Sequence, residues 1–251
     1  MNTTQEFNGL ANVYTVGRPL YATEFIEVLC SKYGISEKSI LADIGSGTGK
    51  FAKQLLDKGI TVYSVEPNTD MRNIAIKELQ HYAKFKSVNG TASETMLKDD
   101  SVSCITVAQA FHWFNVAEFK KECKRILHKG GYVFLIWNMR DMSNIVNQIS
   151  YEIYSKYCPK FKGFGGGIQR DDIRIKEFFD NNYEYAEFSN PLFYDKETFI
   201  SRSLSGSYSL KQEDEGYSEY ISELSDLFDK YEDNGYLEMA NNTVVYIGKI
   251  E

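Results

Sequence analysis

The chain of 251 residues has few cysteines and no long apolar run. Its four cysteines, Cys30, Cys104, Cys123 and Cys158, follow neither CxxC nor Cys/His ligand spacing, so we expect buried thiols and no metal site. The run YVFLIW at 132–137 is far shorter than a bilayer span. The N-terminus also lacks the cationic start and apolar stretch of a secretory signal. These absences predict a soluble, cytoplasmic protein without a membrane partner.

Positive charge is also scarce. The chain has 28 Lys and Arg against 35 Asp and Glu, a formal net charge of -7. The longest basic block is KKECKR at 120–125. Without a positive field to attract a phosphate backbone, a nucleic-acid partner is disfavoured.

From residue 40 onward, short β-rich runs alternate with amphipathic stretches. The pattern predicts strands within ILADI (40–44), TVYSVE (61–66), FKSVNG (85–90), VSCITVAQ (102–109) and GYVFLIWN (131–138), and helices at 50–58, 69–82 and 116–128. The last of these helices is expected to stop at Gly130-Gly131. Such alternation indicates βαβ units on a mostly parallel sheet.

The two flanks of this region have different patterns. Before residue 40, LYATEFIEVLCSKYG predicts a helix that buries Phe25, Ile26, Leu29 and Tyr33 across the sheet. After residue 143 the alternation weakens. We expect a helix at 143–157, a glycine-rich connector at 162–172, strands at 182–194 and 242–250, and helices at about 196–204 and 213–233.

The stretch DIGSGTG (43–49) places three glycines on alternate positions directly after the first strand. A phosphate-binding P-loop would need glycine in place of Ile44 and Ser or Thr in place of Phe51. A dinucleotide fingerprint would need GxGxxG, one residue more than this spacing gives. Glycines allow backbone amides to approach a ligand, and the following helix N-terminus favours a carboxylate. A turn that serves only packing is the alternative.

DIGSGTG resembles motif I of the class I S-adenosylmethionine-dependent methyltransferases. The segment at 89–114, which ends in QAFHWF, narrows the resemblance to the methyltransferase type 11 group. ANVYTVGRPLYATEF (11–25) is similar to the segment of that group that closes over the site. SLSGSY (203–208) and TVVYIG (243–248) are similar to its C-terminal part. The resemblance covers nearly the whole chain. Each segment alone is a weak signal, but the combination of segments is specific to this group.

The resemblance implies an α/β fold with a Rossmann-like, seven-stranded, mostly parallel sheet. Its last strand would be antiparallel, with helices on both faces and a helical cap over the active site. It implies one domain: an N-terminal cap at 1–39, a cofactor-binding core at 40–142, acceptor-covering helices and a strand at 143–240, and a final strand at 241–251.

The resemblance also implies a set of residues that bind S-adenosylmethionine. Glu66 ends the second strand about 20 residues beyond the loop, where a carboxylate can accept both ribose hydroxyls. Ser93 and Ser103 stand where the group commonly has Glu and Asp, so we expect backbone rather than side-chain contacts to adenine. The full set is Tyr14, Arg18, Asp43, Gly45, Ser46, Gly47, Thr48, Glu66, Pro67, Asn68, Met71, Thr91, Ala92, Ser93, Gln109 and Ala110.

Methyl transfer from a sulfonium needs alignment and water exclusion rather than a triad or a metal. The chain has no Pro-Pro pair, so it lacks the [ND]PP[YF] signature of enzymes that methylate base amino groups. A small-molecule acceptor is therefore expected, methylated on oxygen, carboxylate or nitrogen. An RNA or protein methyltransferase, or a non-catalytic S-adenosylmethionine-binding protein, remains an alternative. The chain would act as a monomer or homodimer.

His112 is the candidate catalytic residue, because its pKa suits a general base at a strand end. The other interpretation is that His112 and Trp113 only shape the acceptor pocket. Tyr21 and Tyr208 complete the predicted pocket.

Overall fold

A computed structural model describes residues 19–164, 168, 172–206 and 208–250. The predicted cofactor residues Tyr14 and Arg18 lie outside these residues, as does part of the glycine-rich connector. None of the helices in the described ranges is long and apolar enough to cross a bilayer.

The chain forms two compact units. Of the described residues, the first unit comprises 19–137, 168, 172–188 and 243–250, and the second comprises 138–164, 189–206 and 208–242. The prediction of one domain with a cap stays a prediction.

The helices and strands follow one another in an alternating order. They are α1 (Thr23–Ser31), β1 (Ile40–Ile44), α2 (Lys50–Asp57), β2 (Thr61–Val65), α3 (Thr69–Leu79), β3 (Phe85–Val88), β4 (Val102–Ala108), a 3-10 turn (Phe111–Trp113), α4 (Val116–Ile126), β5 (Leu127–Arg140), α5 (Ile145–Tyr157), α6 (Ile173–Phe178), β6 (Tyr183–Ser189), β7 (Leu192–Tyr194), α7 (Lys196–Leu204), α8 (Tyr217–Tyr231), β8 (Leu237–Met239) and β9 (Asn241–Lys249).

Seven strands form one sheet in the order β3-β2-β1-β4-β5-β9-β6. The pairs β1–β2, β1–β4, β2–β3 and β4–β5 are parallel. Strand β9 is antiparallel to β6. The start of β9 lies at the end of β6, where the Asn241 carbonyl accepts the Asn190 N–H. The end of β9 lies at the start of β6, where Gly248 is beside Asn182. The predicted fold, a mostly parallel sheet of seven strands with an antiparallel last strand, is confirmed.

Two of the predicted elements are wrong in detail. The stretch 182–194 is not one strand, because Pro191 has no N–H for a ladder and follows the end of β6. Beyond it, β7 pairs instead with β8 in a separate two-stranded sheet. The helix predicted at 116–128 ends at Ile126, since Leu127 is extended and pairs with Val102. Helix α6 and strand β8 have no counterpart in the prediction.

The core of the first unit packs α1 and α2 on the sheet. Phe25 of α1 is fully buried, with its ring centroid 6.1 Å from that of Phe51 and 6.4 Å from that of Phe134. The apolar face predicted for α1 is therefore the buried one, although Tyr33 is only half-buried. Its role as a cap over the active site stays a prediction.

Ser103 of β4 is hydrogen-bonded to the first residue of the neighbouring strand β1. Its hydroxyl donates to the Ile40 carbonyl at 2.9 Å and accepts from the Ile40 N–H at 3.1 Å. Ser103 lies at the amino end of β4, whereas ligands bind at carboxyl strand ends in such sheets. Ser103 is also not among the residues that line the cavity described below, so the structure gives its identity no part in adenine contacts, and the expectation about them stays a prediction.

Candidate functional site

A cavity of about 260 Å³ lies in the first unit at the carboxyl ends of β1, β2 and β4. Crevices at this edge are where open α/β sheets bind ligands. The predicted residues among those that line it are Tyr21, Gly45, Ser46, Gly47, Thr48, Glu66, Pro67, Asn68, Met71, Thr91, Ala92, Ser93, Gln109, Ala110 and Trp113.

Six further residues line the cavity and were not predicted: Pro19, Lys50, Phe51, Ala108, Phe114 and Asn115. Each stands within two positions of a predicted residue in the sequence, except Phe51, which is three positions from Thr48. The signal that could have found them is this adjacency, because a loop that encloses a ligand contributes consecutive residues.

The three loop glycines all have left-handed backbone, with φ of 69° at Gly45, 57° at Gly47 and 81° at Gly49. A Cβ on Gly45 would lie 2.7 Å from Ala110 Cβ, and one on Gly49 would lie 2.6 Å from Leu79 Cδ1. A Cβ on Gly47 would meet nothing closer than 3.7 Å. Gly45 and Gly49 therefore serve close packing as well, and only Gly47 leaves space beside its backbone.

The N-terminus of α2 lacks a side-chain cap. Its N-cap is Gly49, with no side-chain hydrogen bond, and its first residue, Lys50, lines the cavity. The first amides of a helix have no partner within the helix and favour an anion. This end of the cavity is therefore suited to a carboxylate.

Glu66 holds the loop and the start of α3 together. Its carboxylate accepts the Gly47 N–H at 2.9 Å and the Asn68 N–H at 2.8 Å, one on each oxygen. The residue is only 7% exposed, and burial raises the pKa of its carboxyl while the two amides act against that shift. Each carboxylate oxygen retains a lone pair, so Glu66 can still accept hydrogen bonds from a ligand's hydroxyls.

Asn68 caps α3, where its side-chain oxygen accepts the Met71 N–H at 3.0 Å. In the turn after β3, the Thr91 hydroxyl accepts the Glu94 N–H at 3.1 Å and lies 3.2 Å from the Ser93 hydroxyl. These residues have local structural roles in addition to their place on the cavity wall.

Gln109 has strained backbone, with φ of 60° in a residue other than glycine. Its N–H donates to the Ile136 carbonyl at 2.8 Å, and the turn brings Ala110 against Gly45. Left-handed backbone costs about 1–3 kcal/mol at such a residue and occurs often at binding sites.

Asp43 lies beneath the loop, fully buried and outside the set of cavity-lining residues. Its Oδ1 accepts the Thr106 hydroxyl at 2.9 Å, and its Oδ2 has no hydrogen-bond partner among the described residues. Burial raises the pKa of Asp43 to about 7, and the negative charge of Glu66 adds to the shift. Asp43 therefore carries a proton over much of the acidic range.

We expect the stability difference between the wild type and Asp43→Asn to depend on pH. The carboxyl loses its proton near the ordinary aspartate pKa of 3.8 in the unfolded chain, and near 7 in the folded one. The wild type therefore loses stability relative to the variant as pH rises through this window, by up to about 4 kcal/mol. Urea unfolding at several pH values between 4 and 8 measures the gap. A constant gap would show that Asp43 titrates normally.

Of the four residues predicted for the acceptor pocket, only Tyr21 and Trp113 line the cavity. Trp113 lines the cavity and is 44% exposed. His112 is not among the residues that line the cavity. Its ring centroid lies 4.9 Å from that of Trp113. Its backbone carbonyl accepts a hydrogen bond from Arg174 Nη1 at 3.3 Å. Tyr208 belongs to the second unit and is not among them either. The general-base role of His112 stays a prediction.

The sheet order, its antiparallel last strand and the glycine loop define the Rossmann-like fold of the class I methyltransferases. Residues 42–135 match the type 11 family, described as a methyltransferase domain. Residues 42–135 therefore match a methyltransferase domain, and this match supports the class I methyltransferase that the sequence predicted.

Relatives are similar over about half of the chain. An uncharacterized methyltransferase of Mycobacterium tuberculosis is 36% identical over 135 residues, which are 54% of this chain and 53% of that protein. A protein of Saccharomyces cerevisiae named as a probable S-adenosylmethionine-dependent methyltransferase is 26% identical over 148 residues, 57% of this chain and 50% of that one. The chain thus spans about half the length of the curated relatives it matches.

The fold also resembles solved structures. A proposed type II methyltransferase from Anaeromyxobacter dehalogenans has a TM-score of 0.64 at 16% identity, over 93% of this chain and 98% of that one. At this identity the likeness shows the fold alone.

Proposed function

We propose that the chain is an S-adenosylmethionine-dependent methyltransferase that acts on a small molecule. The observation that carries the proposal is the buried Glu66 carboxylate at the cavity, held by the amides of Gly47 and Asn68. A carboxylate fixed at the end of β2, beside a glycine loop and an uncapped helix, suits a ligand with ribose hydroxyls and a carboxylate.

The residues of the cavity fit the parts of the cofactor. Glu66 would accept the ribose hydroxyls, and the N-terminus of α2 would receive the amino-acid carboxylate. Met71 and the turn at 91–93 would border the adenosine, while Gln109 and Ala110 would border the methionine portion. When bound, the cofactor supplies an electrophilic methyl group on a sulfonium.

The contribution of the chain to the reaction is alignment and exclusion of water. Holding two reactants in attack geometry supplies about 7–11 kcal/mol, without a nucleophile or a metal from the protein. His112 stays our candidate for removing a proton from an acceptor, because it is a histidine that closely follows the cavity residues Gln109 and Ala110.

Two features of the sequence support a small acceptor, and one comparison supports the cofactor. The net charge of -7 gives no general attraction for nucleic acid. The chain has no Pro-Pro pair and so lacks the signature of base-amino methyltransferases. The name of the yeast relative supports the choice of cofactor.

A transfer assay with methyl-labelled S-adenosylmethionine tests the function. The purified chain is incubated with a cell extract, which is then separated into small molecules, protein and RNA. We expect the label in small-molecule products other than S-adenosylmethionine itself. These labelled products are expected to be lost with Glu66→Ala. They are expected to be retained with Glu78→Ala, which removes one negative charge from the exposed side of α3. Label in protein or RNA would contradict the acceptor class. Cofactor binding without transfer to any fraction would contradict catalysis.

A further inference from the structure

The second unit contains an arginine, Arg140, that forms no ion pair with the described residues. Arg140 ends β5, and its buried Nη1 has no hydrogen-bond partner among the described residues. A buried N–H of a cation without an acceptor is costly, so such a group calls for an explanation.

An aromatic ring fixes the plane of this guanidinium. Arg140 Cζ lies 3.9 Å from the centroid of the Phe164 ring, a cation–π contact. The Phe164 ring packs in turn against Phe161 at 5.1 Å and Tyr154 at 5.5 Å. A guanidinium stacked by its face still presents its N–H groups at the edge, in the planar fork that pairs with an oxyanion.

Arg140 and a second arginine, Arg202, both act electrostatically on the phenols of Tyr194 and Tyr208. Arg202 Cζ lies 5.5 Å from the centroid of the Tyr194 ring. The positive charges of Arg140 and Arg202 both lower the pKa of Tyr194 and Tyr208, although burial outweighs them and raises the pKa of Tyr208 to about 12. Both phenols therefore keep their protons near neutral pH and can donate hydrogen bonds.

Apolar rings surround these polar groups. The Tyr208 ring lies 4.9 Å from that of Phe161 and 5.6 Å from that of Tyr154. Rings with a polar tip bind ligands that combine a flat apolar body with a polar group. We name the set formed by Arg140, Phe164, Tyr194, Arg202 and Tyr208 the Arg140 cluster.

We propose that the Arg140 cluster binds the oxyanion, carboxylate or phosphate, of a small molecule with an apolar, aromatic body. Arg140 pairs with the oxyanion through Nη1, which has no hydrogen-bond partner among the described residues. Arg202 adds a second positive charge, and the rings contact the apolar body. The proposal rests on the proposed function in one respect only, that this ligand is the methyl acceptor. Binding of the anion is a property of the second unit and is tested by itself.

Calorimetric titration of the full chain tests the proposal with benzoate, benzamide, phenyl phosphate and inorganic phosphate. Benzamide has nearly the shape of benzoate without its charge. We expect benzoate or phenyl phosphate to bind saturably and at least about tenfold more tightly than benzamide, since a charge-assisted hydrogen bond is lost. Which of the two binds more tightly identifies the oxyanion. Inorganic phosphate binding as tightly as phenyl phosphate would overturn the aromatic part of the proposal.

Three substitutions at two arginines assign the binding to the cluster. Arg140→Gln is expected to raise the dissociation constant of the tighter probe about tenfold to hundredfold, with a smaller rise for Arg202→Gln. Lys230→Gln, which removes a positive charge at an exposed position of α8, serves as the matched control and is expected to change nothing. Arg140→Lys keeps the charge but loses the planar fork, so an intermediate effect is expected.

Three results would overturn the proposal: no saturable binding of either oxyanion, binding of the tighter oxyanion no stronger than that of benzamide, or unchanged affinity in both Arg140→Gln and Arg202→Gln. If Arg140→Gln does not fold, Arg202→Gln and Arg140→Lys carry the test. Titration of the wild type with S-adenosylhomocysteine separates the two proposals. Cofactor binding without oxyanion binding overturns this inference alone, and oxyanion binding without cofactor binding overturns the proposed function alone.

Discussion

Replacement of Glu66 by alanine is expected to raise the dissociation constant of S-adenosylhomocysteine at least about tenfold to hundredfold. A carboxylate that accepts a ribose hydroxyl makes a charge-assisted bond worth about 1.5–3 kcal/mol. The substitution also removes the acceptor for the Gly47 and Asn68 amides, so the loop loses the contact that holds it beside α3. Calorimetric titration measures the change directly.

Two variants separate the role of Glu66 from general effects of charge and folding. Glu66→Gln keeps one oxygen acceptor but loses the charge, so we expect an affinity between those of the wild type and Glu66→Ala. Glu78→Ala makes the same change in net charge on the exposed side of α3 and is expected to bind normally. An unchanged dissociation constant in a folded Glu66→Ala protein would remove Glu66 from the site.

Replacement of Gly45 by alanine is expected to lower the free energy of unfolding by about 2–5 kcal/mol. The left-handed backbone at φ of 69° costs an L-residue about 1–2 kcal/mol. The new Cβ would also lie 2.7 Å from Ala110 Cβ, and overpacking of this kind costs about 1–3 kcal/mol more. Chemical denaturation gives the free energy for each variant.

Gly130 provides the matched control, because its φ is 81° and a Cβ there would meet nothing within 4 Å. Gly130→Ala should therefore lose only the backbone component, about 1–2 kcal/mol. Adding Ala110→Gly to Gly45→Ala removes the clashing methyl group and should restore part of the loss. Equal losses in Gly45→Ala and Gly130→Ala, or no gain from the second substitution, would show that the Ala110 contact does not constrain the loop.

Much of the fold follows from local signals in the sequence. The apolar runs and their spacing predicted β1 to β5 and the helices between them, since most of these strands are short, buried and followed by an amphipathic segment. The glycine loop could be placed at the end of β1 for the same reason. The antiparallel last strand came only from the resemblance to a family.

Other features depend on contacts between distant residues. The pairing of β7 with β8 is decided by a partner strand about 45 residues away, although the proline that separates β7 from β6 is visible in the sequence. The packing role of Gly45 depends on Ala110, and the unsatisfied oxygen of Asp43 depends on what surrounds it. The lack of a hydrogen-bond partner for Arg140 Nη1 among the described residues could not be predicted either, because an arginine at a strand end has no sequence signature.

A crystal structure of the full chain with S-adenosylhomocysteine tests the central claim most directly. The account predicts the ligand in the cavity of the first unit, with its ribose hydroxyls donating to the Glu66 carboxylate and its amino-acid carboxylate at the N-terminus of α2. A ligand bound elsewhere, or ribose hydroxyls that make no contact with Glu66, would contradict it.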